Sequence, residues 1–145
     1  LLDLGYVGEP SNINPEILKV FEKSDIIPVI APIGVSNEGE TYNINADTVA
    51  GAIASSLRAT KLIILTDVEG VLDQKNTLIN KISLNDAKKI LLNKTVTGGM
   101  IPKLETCLHA INGGAKAVHI LNGKIEHVLL LEVFTDSGVG TKITK

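Results

Sequence analysis

Apolar residues form two patterns along this chain: short continuous runs, which are typical of buried strands, and a spacing of three to four residues, which is typical of helices. Segments with the two patterns alternate. The continuous run Leu62–Leu65 is the strongest signal of a buried parallel strand. The run Ile26–Ile33 predicts a second buried strand, with its prolines near the strand ends or at a sheet edge. Further strands are expected in segments 1–8, 40–45, 117–121 and 141–144.

Between these strands, apolar residues recur at helical spacing, and several of the predicted helices begin with a residue pattern that is typical of helix N-termini. Asn14 followed by Pro15 predicts an N-cap and a proline at the first helical position. Ser83 with Asp86 three residues later resembles a capping box. The predicted helices run from Pro15 to about Lys23, over residues 46–57, from Ser83 to about Leu92, from Met100 to Asn112, and over a short stretch after the Asn122–Gly123 turn.

The alternation of strands and helices predicts an α/β fold, a three-layer sandwich with a largely parallel central sheet. The 145 residues and 44% hydrophobic content suit one core, so a single domain over residues 1–145 is expected. In such folds, ligands bind beyond the carboxyl ends of the strands. The chain starts at Leu1 already within a strand-like segment, and we interpret it as a fragment of a longer protein.

The composition argues against several classes of function. The net charge of −2, two Tyr, two Phe and no Trp argue against a nucleic-acid-binding surface. No apolar run approaches the roughly 20 residues that span a bilayer, so no membrane association is expected. The single cysteine, Cys107, cannot form an internal disulfide, which favours a reducing, intracellular compartment.

The segment Thr95–Lys103 holds the most informative polar pattern, because two glycines precede a predicted helix whose first turn contains Lys103. The N–H groups of a helix N-terminus carry partial positive charge, so a lysine there is unfavourable by roughly a few tenths of a kcal/mol unless an anion lies in front of it. Gly98 and Gly99 would let the backbone approach a phosphate closely. The ordinary alternative, a glycine turn followed by a solvated lysine, stays open.

Two further polar clusters fall at predicted strand ends. Asn43, Asn45 and Asp47 lie at the start of the alanine-rich helix. An acid in a first helical turn also has an ordinary stabilising role, worth about 0.3–1 kcal/mol. Residues 66–70, reading TDVEG, follow the Leu62–Leu65 strand, and acids with a glycine at that place are common both in nucleotide sites and in plain loops.

Several standard site patterns are absent from the sequence. It has no Walker A motif, no G-x-G-x-x-G after a strand and no G-x-S-x-G elbow. His109, His119 and His127 show no metal-ligand spacing with acids or with Cys107, so no protein-held metal is predicted.

In chain order, the segments VIAPIGV, TYNINAD, LIILTDVEGVLD, TGGMIPK and LLLEVFTDSGVGTKI resemble the amino acid kinase family, most closely its branch that phosphorylates N-acetyl-L-glutamate. The resemblance implies a carbamate kinase-like fold. It implies transfer of the ATP γ-phosphoryl group to the side-chain carboxylate of N-acetyl-L-glutamate in arginine biosynthesis, with Mg²⁺ carried by the nucleotide. It also implies that this chain is the C-terminal, ATP-binding part, and that without the N-terminal, acyl-amino-acid-binding half it is inactive.

The resemblance assigns roles to particular residues. Lys103 would stabilise the transferring phosphoryl group, Asp47 would orient catalytic lysines, and Asn43 would hold the acetylglutamate. The ATP pocket would be lined by Asp67, Val68, Glu69, Gly70, Val71, Leu72, Thr95, Val96 and Thr97. An arginine effector would contact His119, Glu132 and Gly138, although an acid at a helix end and a glycine turn before an edge strand also explain this tail.

The resemblance implies a homo-oligomer, a dimer or hexamer at full length, with a nitrogen-sensing signal protein as a possible further partner. It implies the cytoplasm or the plastid stroma as the compartment. Aspartate, glutamate, carbamate and UMP remain open as alternative acceptors. A non-catalytic nucleotide- or effector-binding module also stays open, whereas a Rossmann dehydrogenase is disfavoured by the missing glycine fingerprint.

Overall fold

The structure, a computed structural model, describes residues 4–135 and 138–145. Strands and helices alternate along these residues. In chain order they are β1 (Val7–Gly8), α1 (Pro15–Glu22), β2 (Ile33–Val35), β3 (Thr41–Ile44), α2 (Ala46–Ser56), β4 (Leu62–Thr66), β5 (Lys81–Ser83), α3 (Leu84–Leu92), α4 (Met100–Asn112), β6 (Ala117–Asn122), α5 (Val128–Phe134) and β7 (Thr141–Thr144).

All the predicted helices are confirmed, and the start signals work as expected. The Asn14 side chain accepts a hydrogen bond from the Glu16 N–H at 3.0 Å, with Pro15 opening α1. The Ser83 hydroxyl oxygen accepts from the Asp86 N–H at 3.1 Å and opens α3. These bonds satisfy amide groups that the helix itself leaves without an acceptor.

The α/β class is confirmed, but the strands form two mixed sheets where the sequence predicts one largely parallel sheet. In the smaller sheet, β3 lies between β1, which is parallel to it, and β2, which is antiparallel. The larger sheet has the order β4-β6-β7-β5. Its outer pairs are parallel, and its central pair β6 and β7 is antiparallel.

The predicted strand Ile26–Ile33 is wrong, because the strand in this region begins only at Ile33 and runs to Val35. Pro28 and Pro32 have no N–H to donate to a neighbouring strand. The side chains before Ile33 are also unburied: Ile27 is 89% exposed and Val29 is 96% exposed. Of the predicted opening strand, residues 1–3 lie outside the described residues, and β1 covers only Val7–Gly8.

The core lies around β6, which helices cover on both faces. Val118 and Ile120 are fully buried in one hydrophobic core with Leu104 and Ile111 of α4. His119 points to the opposite face, because side chains alternate along a strand, and there it contacts α5. A helix–strand–helix layering therefore surrounds β6.

Helices α2 and α4 pack closely and run in the same direction. A Cβ on Gly51 would lie 2.5 Å from the Thr106 methyl group, and one on Gly113 would meet the Ser55 hydroxyl group. The small residues therefore allow an approach that larger side chains would prevent. This parallel packing sets the N-terminal turns of the two helices side by side.

Candidate active site

The adjoining first turns of α2 and α4 bring Lys103 and Asp47 together. The Lys103 Nζ donates to Asp47 Oδ2 at 2.6 Å, across 56 residues of sequence. The two side chains are 21% and 27% exposed. Both charged groups therefore remain reachable from solvent while they hold each other in place.

Asn43 and Asn45 precede α2 and have different roles: Asn45 caps the helix, and Asn43 is exposed. The Asn45 side chain is the N-cap of α2 and accepts from the Thr48 N–H at 3.2 Å. Asn43 is exposed on β3, and its side chain makes no hydrogen bond to any described residue. Strand alternation places Asn43 on the face opposite Tyr42 and Ile44. The Asn43 amide is therefore available for a ligand, whereas Asn45 has a structural task that sequence reasoning left unassigned.

Open space lies in front of α4. Apart from the residues next to them in sequence, no described residue has a heavy atom within 4 Å of the position that a Cβ would take on Gly98 or Gly99, and Gly98 has a φ of +58°. Among the described residues, none accepts a hydrogen bond from the N–H of Gly98 or Gly99. Two amide groups without an acceptor among the described residues therefore precede the helical turn that holds Lys103, as in anion sites at helix N-termini. Asp47 already offsets part of the unfavourable placement of the Lys103 charge.

The nine residues assigned to the ATP pocket differ in what they can offer a ligand. Val71 and Val96 are buried in the same hydrophobic core, so their side chains cannot contact a nucleotide. The Val71 N–H donates to Thr141 Oγ1 at 2.8 Å. A Cβ on Gly70 would lie 2.6 Å from that same oxygen, so close packing against Thr141 explains the glycine at this position.

The remaining members of that set are accessible. Asp67, Val68, Glu69 and Thr97 are exposed, while Leu72 and Thr95 are half-buried. Buried Val71 and Val96 anchor the two segments in one core, which holds the accessible residues at the carboxyl end of β4 and at the entry to α4. A nucleotide could meet the accessible side chains there, and Val71 and Val96 only through backbone atoms.

His119 and Glu132 form a second, buried pair between β6 and α5. His119 Nδ1 and Glu132 Oε1 lie 2.6 Å apart, and the side chains are 3% and 9% exposed. Burial lowers the pKa of His119 below its ordinary value, although the Glu132 carboxylate acts in the opposite direction. A neutral ring with its hydrogen on Nδ1 fits this geometry, since it donates to Glu132. The other ring nitrogen, Nε2, is buried and has no hydrogen-bond partner among the described residues.

This pair borders a cavity of about 510 Å³, which also reaches Gly138. The structure thus brings together the three residues assigned to an arginine effector; Asp136 and Ser137 of the same tail lie outside the described residues. Lys61, Lys81 and Lys142 line the cavity as well. Sequence reasoning missed these lysines because they come from separate parts of the chain: Lys61 precedes β4, Lys81 opens β5, and Lys142 lies in β7. Only the pairing register sets Lys142 beside both His119 and Lys81.

Cys107 lies in the core near the first pair, and burial raises its pKa to about 12. It is therefore an inert packing residue.

Within residues 4–135 and 138–145, no group of three or more His, Cys, Asp or Glu is placed to hold a metal ion. None of the helices in those ranges is both long and apolar enough to cross a membrane.

The family model described as the amino acid kinase family matches residues 2–122. The chain belongs to the amino acid kinase family. The acetylglutamate kinase of Parvibaculum lavamentivorans is 59% identical to it, over all of this chain and 48% of that protein. The acetylglutamate kinase of Rhodospirillum centenum is 54% identical, over 99% of this chain and 47% of that protein. The chain thus spans about half the length of the curated relatives it matches.

The fold has a similar solved structure in N-acetylglutamate synthase from Neisseria gonorrhoeae, determined with coenzyme A and L-arginine. The TM-score is 0.92 at 30% sequence identity, over 99% of this chain and 34% of that one. The likeness extends over both residue pairs described above.

Proposed function

We propose that this chain is the C-terminal, ATP-binding part of an acetylglutamate kinase, which transfers the ATP γ-phosphoryl group to the side-chain carboxylate of N-acetyl-L-glutamate. The observation that carries the proposal is the 59% and 54% identity, along essentially the whole chain, to two proteins named acetylglutamate kinase. The synthase is a weaker relative at 30%. The name of the kinase relatives supports a place in arginine biosynthesis.

The proposed reaction joins two anions, so it depends on positioning and charge neutralisation. The acceptor carboxylate is already ionised and needs no general base. Lys103 would place its ammonium group against the transferring phosphoryl group, and the N–H groups of Gly98 and Gly99 would donate to phosphate oxygens. Asp47 would keep the Lys103 side chain directed at the open space rather than abstract a proton.

Three features at the entry to α4 support ATP as the ligand: open space at Gly98 and Gly99, amide groups there that lack an acceptor among the described residues, and Lys103 in the first helical turn. The nucleotide would contact accessible residues of segments 67–72 and 95–97, and Asn43 would contact the acetylglutamate. Mg²⁺, held mainly by phosphate oxygens and water, would neutralise negative charge on the polyphosphate. Because the relatives are about twice as long, we expect the 145-residue chain alone to be inactive.

A second, regulatory role is favoured by the cavity beside His119 and Glu132. A guanidinium group could pair with Glu132, and the cationic Lys81 and Lys142 could attract an α-carboxylate. The synthase of similar fold was solved with L-arginine, which supports an amino-acid effector. We therefore propose that arginine binds here and inhibits the longer protein, which we expect to be a cytoplasmic homo-oligomer.

A chimaera tests the kinase proposal. In it, this chain replaces its 59%-identical counterpart in the P. lavamentivorans acetylglutamate kinase. We expect ADP release from ATP to depend on N-acetyl-L-glutamate and to be at least about tenfold slower with aspartate, glutamate, carbamate or UMP, a difference of about 1.4 kcal/mol. A folded chimaera that prefers one of those acceptors, or transfers phosphate to none while the unmodified parent is active, would refute it.

A further inference from the structure

We propose that Thr141 is a positioning residue for the nucleotide. Its buried hydroxyl oxygen fixes segment 67–72, which we assign to the ATP pocket, to β7 of the larger sheet. The inference rests on the proposed function, because it concerns the pocket proposed for ATP. It gives a role in nucleotide binding to a residue that lies outside that pocket and that contacts no substrate.

The first observation is a polar side chain in the core. Thr141 is fully buried, and its Oγ1 accepts a hydrogen bond from the Val71 N–H at 2.8 Å, across 70 residues of sequence. Val71 is fully buried as well, so water cannot replace Thr141 as the acceptor for this N–H group. Loss of the Thr141 oxygen would therefore leave a buried donor without a partner.

The second observation is the place of Thr141 in the larger sheet. Thr141 opens β7, which is antiparallel to β6, and it pairs with Ile120 near the carboxyl end of β6. Because β4 is parallel to β6, the carboxyl end of β4 lies at the same edge. Segment 67–72 follows β4 there. Thr141 thus lies at the edge of the sheet where α/β folds bind their ligands.

The third observation is that the exposed stretch 67–69 is held at both ends. One end follows Thr66, which pairs with β6. The other end precedes Gly70, whose peptide bond to Val71 carries the N–H group that Thr141 holds. Gly70 also packs on Thr141, because a Cβ on Gly70 would lie 2.6 Å from Oγ1 and 3.2 Å from the backbone nitrogen of that residue. Thr141 therefore sets where the exposed stretch lies relative to a nucleotide.

The acceptor site has a different location. Asn43, which we assign to the acetylglutamate, lies on β3 in the smaller sheet. Thr141 belongs to the larger sheet, so a displaced segment 67–72 should weaken the binding of ATP and spare that of acetylglutamate.

Calorimetric titration of ATP with Mg²⁺ into the chimaera tests the proposal. Thr141→Val keeps the shape of the side chain and removes the acceptor. We expect the affinity for ATP to fall by at least about fivefold, or about 1 kcal/mol, and the KM for ATP to rise while the KM for acetylglutamate stays unchanged. Thr141→Ser keeps the oxygen atom and should bind ATP within about twofold of the parent.

Thr144→Val is the matched control, since it makes the same substitution in the same strand. Thr144 is half-buried, and its side chain makes no hydrogen bond to any described residue. The Thr144→Val chimaera should bind ATP like the parent. An equal loss of affinity in Thr144→Val or in Thr141→Ser would show that packing of β7, and not the Thr141 oxygen, is what matters, and would overturn the proposal.

Hydrogen exchange at the Val71 amide gives a readout that does not depend on kinase activity. This amide should exchange faster in Thr141→Val than in the parent or in Thr141→Ser. Faster exchange with an unchanged affinity for ATP would overturn the proposal, as would an equal rise in the KM values of both substrates.

Gly70→Ala disturbs the same contact from the other side and serves if Thr141→Val does not fold. The added Cβ would displace the Gly70–Val71 peptide from Thr141, so ATP binding should weaken. Parental affinity in Gly70→Ala would contradict the proposal. A parent chimaera that binds no ATP would instead refute the proposed function, and this inference with it.

Discussion

Two acid–base pairs in this molecule have the same 2.6 Å separation but different surroundings. Lys103 and Asp47 join two helix N-termini, and their side chains are 21% and 27% exposed. His119 and Glu132 join a strand to a helix and are almost fully buried. A short distance alone therefore does not define a role. Exposure separates the pair proposed for phosphoryl transfer, which is open to solvent, from the buried pair, which meets a ligand only through the cavity that it borders.

Lys103→Ala should have the largest effect. Removing the ammonium group should lower the turnover of the chimaera by about 10²–10³-fold, as for the loss of one transition-state donor. The melting temperature should move little, because partly exposed ion pairs contribute little to folding. Steady-state kinetics and thermal melting measure both effects.

Lys89→Ala is the matched control, since Lys89 pairs with Asp86 at 3.0 Å but is 70% exposed on α3. It should leave turnover unchanged. Lys103→Arg should fail like the alanine variant, because a planar guanidinium does not replace a compact ammonium group. Near-normal turnover in Lys103→Ala would remove Lys103 from the mechanism.

Asp47→Asn should have the next largest effect, because it leaves Lys103 without its anionic partner. We expect turnover to fall by about tenfold or more, and the loss to be similar across the pH range, since the acceptor carboxylate is already ionised. A pH–rate profile of both proteins measures this. A basic limb near about pH 6–7 that disappears with Asp47 would instead identify a general base.

Local signals predicted the helices well, because each start depends on neighbours in sequence. The sequence alone predicts the Asn14 and Ser83 caps and the whole extent of α4. The predicted strand Ile26–Ile33 is wrong because an apolar run does not by itself establish burial: Val29 is 96% exposed, and Pro28 and Pro32 have no N–H to donate. The glycines and Lys103 were visible as a motif, but the contact with Asp47, which is 56 residues away, needs the parallel packing of α2 and α4.

The cavity beside His119 and Glu132 shows the same limit. His119 and Glu132 entered through family resemblance, whereas Lys61, Lys81 and Lys142 left no linear signal. Strand register creates that group, and register across non-consecutive strands cannot be read from apolar spacing alone.

Glu132→Ala tests the role of the buried pair. It should remove the inhibition of the chimaera by arginine, measured as the ratio of rates with and without the amino acid. It should also lower the free energy of unfolding by about 1–3 kcal/mol, because the buried His119 Nδ1–H loses its acceptor. Glu126→Ala is the control. Glu126 is 89% exposed and pairs with His127 at the surface, so its removal should change neither the inhibition nor the free energy of unfolding. Unaltered inhibition in Glu132→Ala would place any arginine site elsewhere.

The smallest expected effect is a pH dependence of stability from His119. Burial holds its pKa below the ordinary 6.5, so in acid the unfolded chain binds a proton that the folded chain still lacks. This contribution to stability is therefore present above about pH 6.5 and lost as the pH falls below it. In urea titrations, His119→Gln should show a weaker fall in stability between pH 7.5 and 5.5 than the parent, an interval chosen to span about one unit on each side. His109→Gln, at an exposed residue of α4, should follow the parent; an equally steep fall in His119→Gln would contradict the assignment.

Calorimetric titration of arginine into the Lys103→Ala chimaera shows whether the two pairs serve separate sites, one for phosphoryl transfer and one for an effector, as we propose. We expect this nearly inactive variant to bind arginine with the parent's affinity, within about threefold, or roughly 0.7 kcal/mol. If arginine binding is lost together with turnover, Lys103 and Glu132 serve one site and the proposed division of roles is wrong.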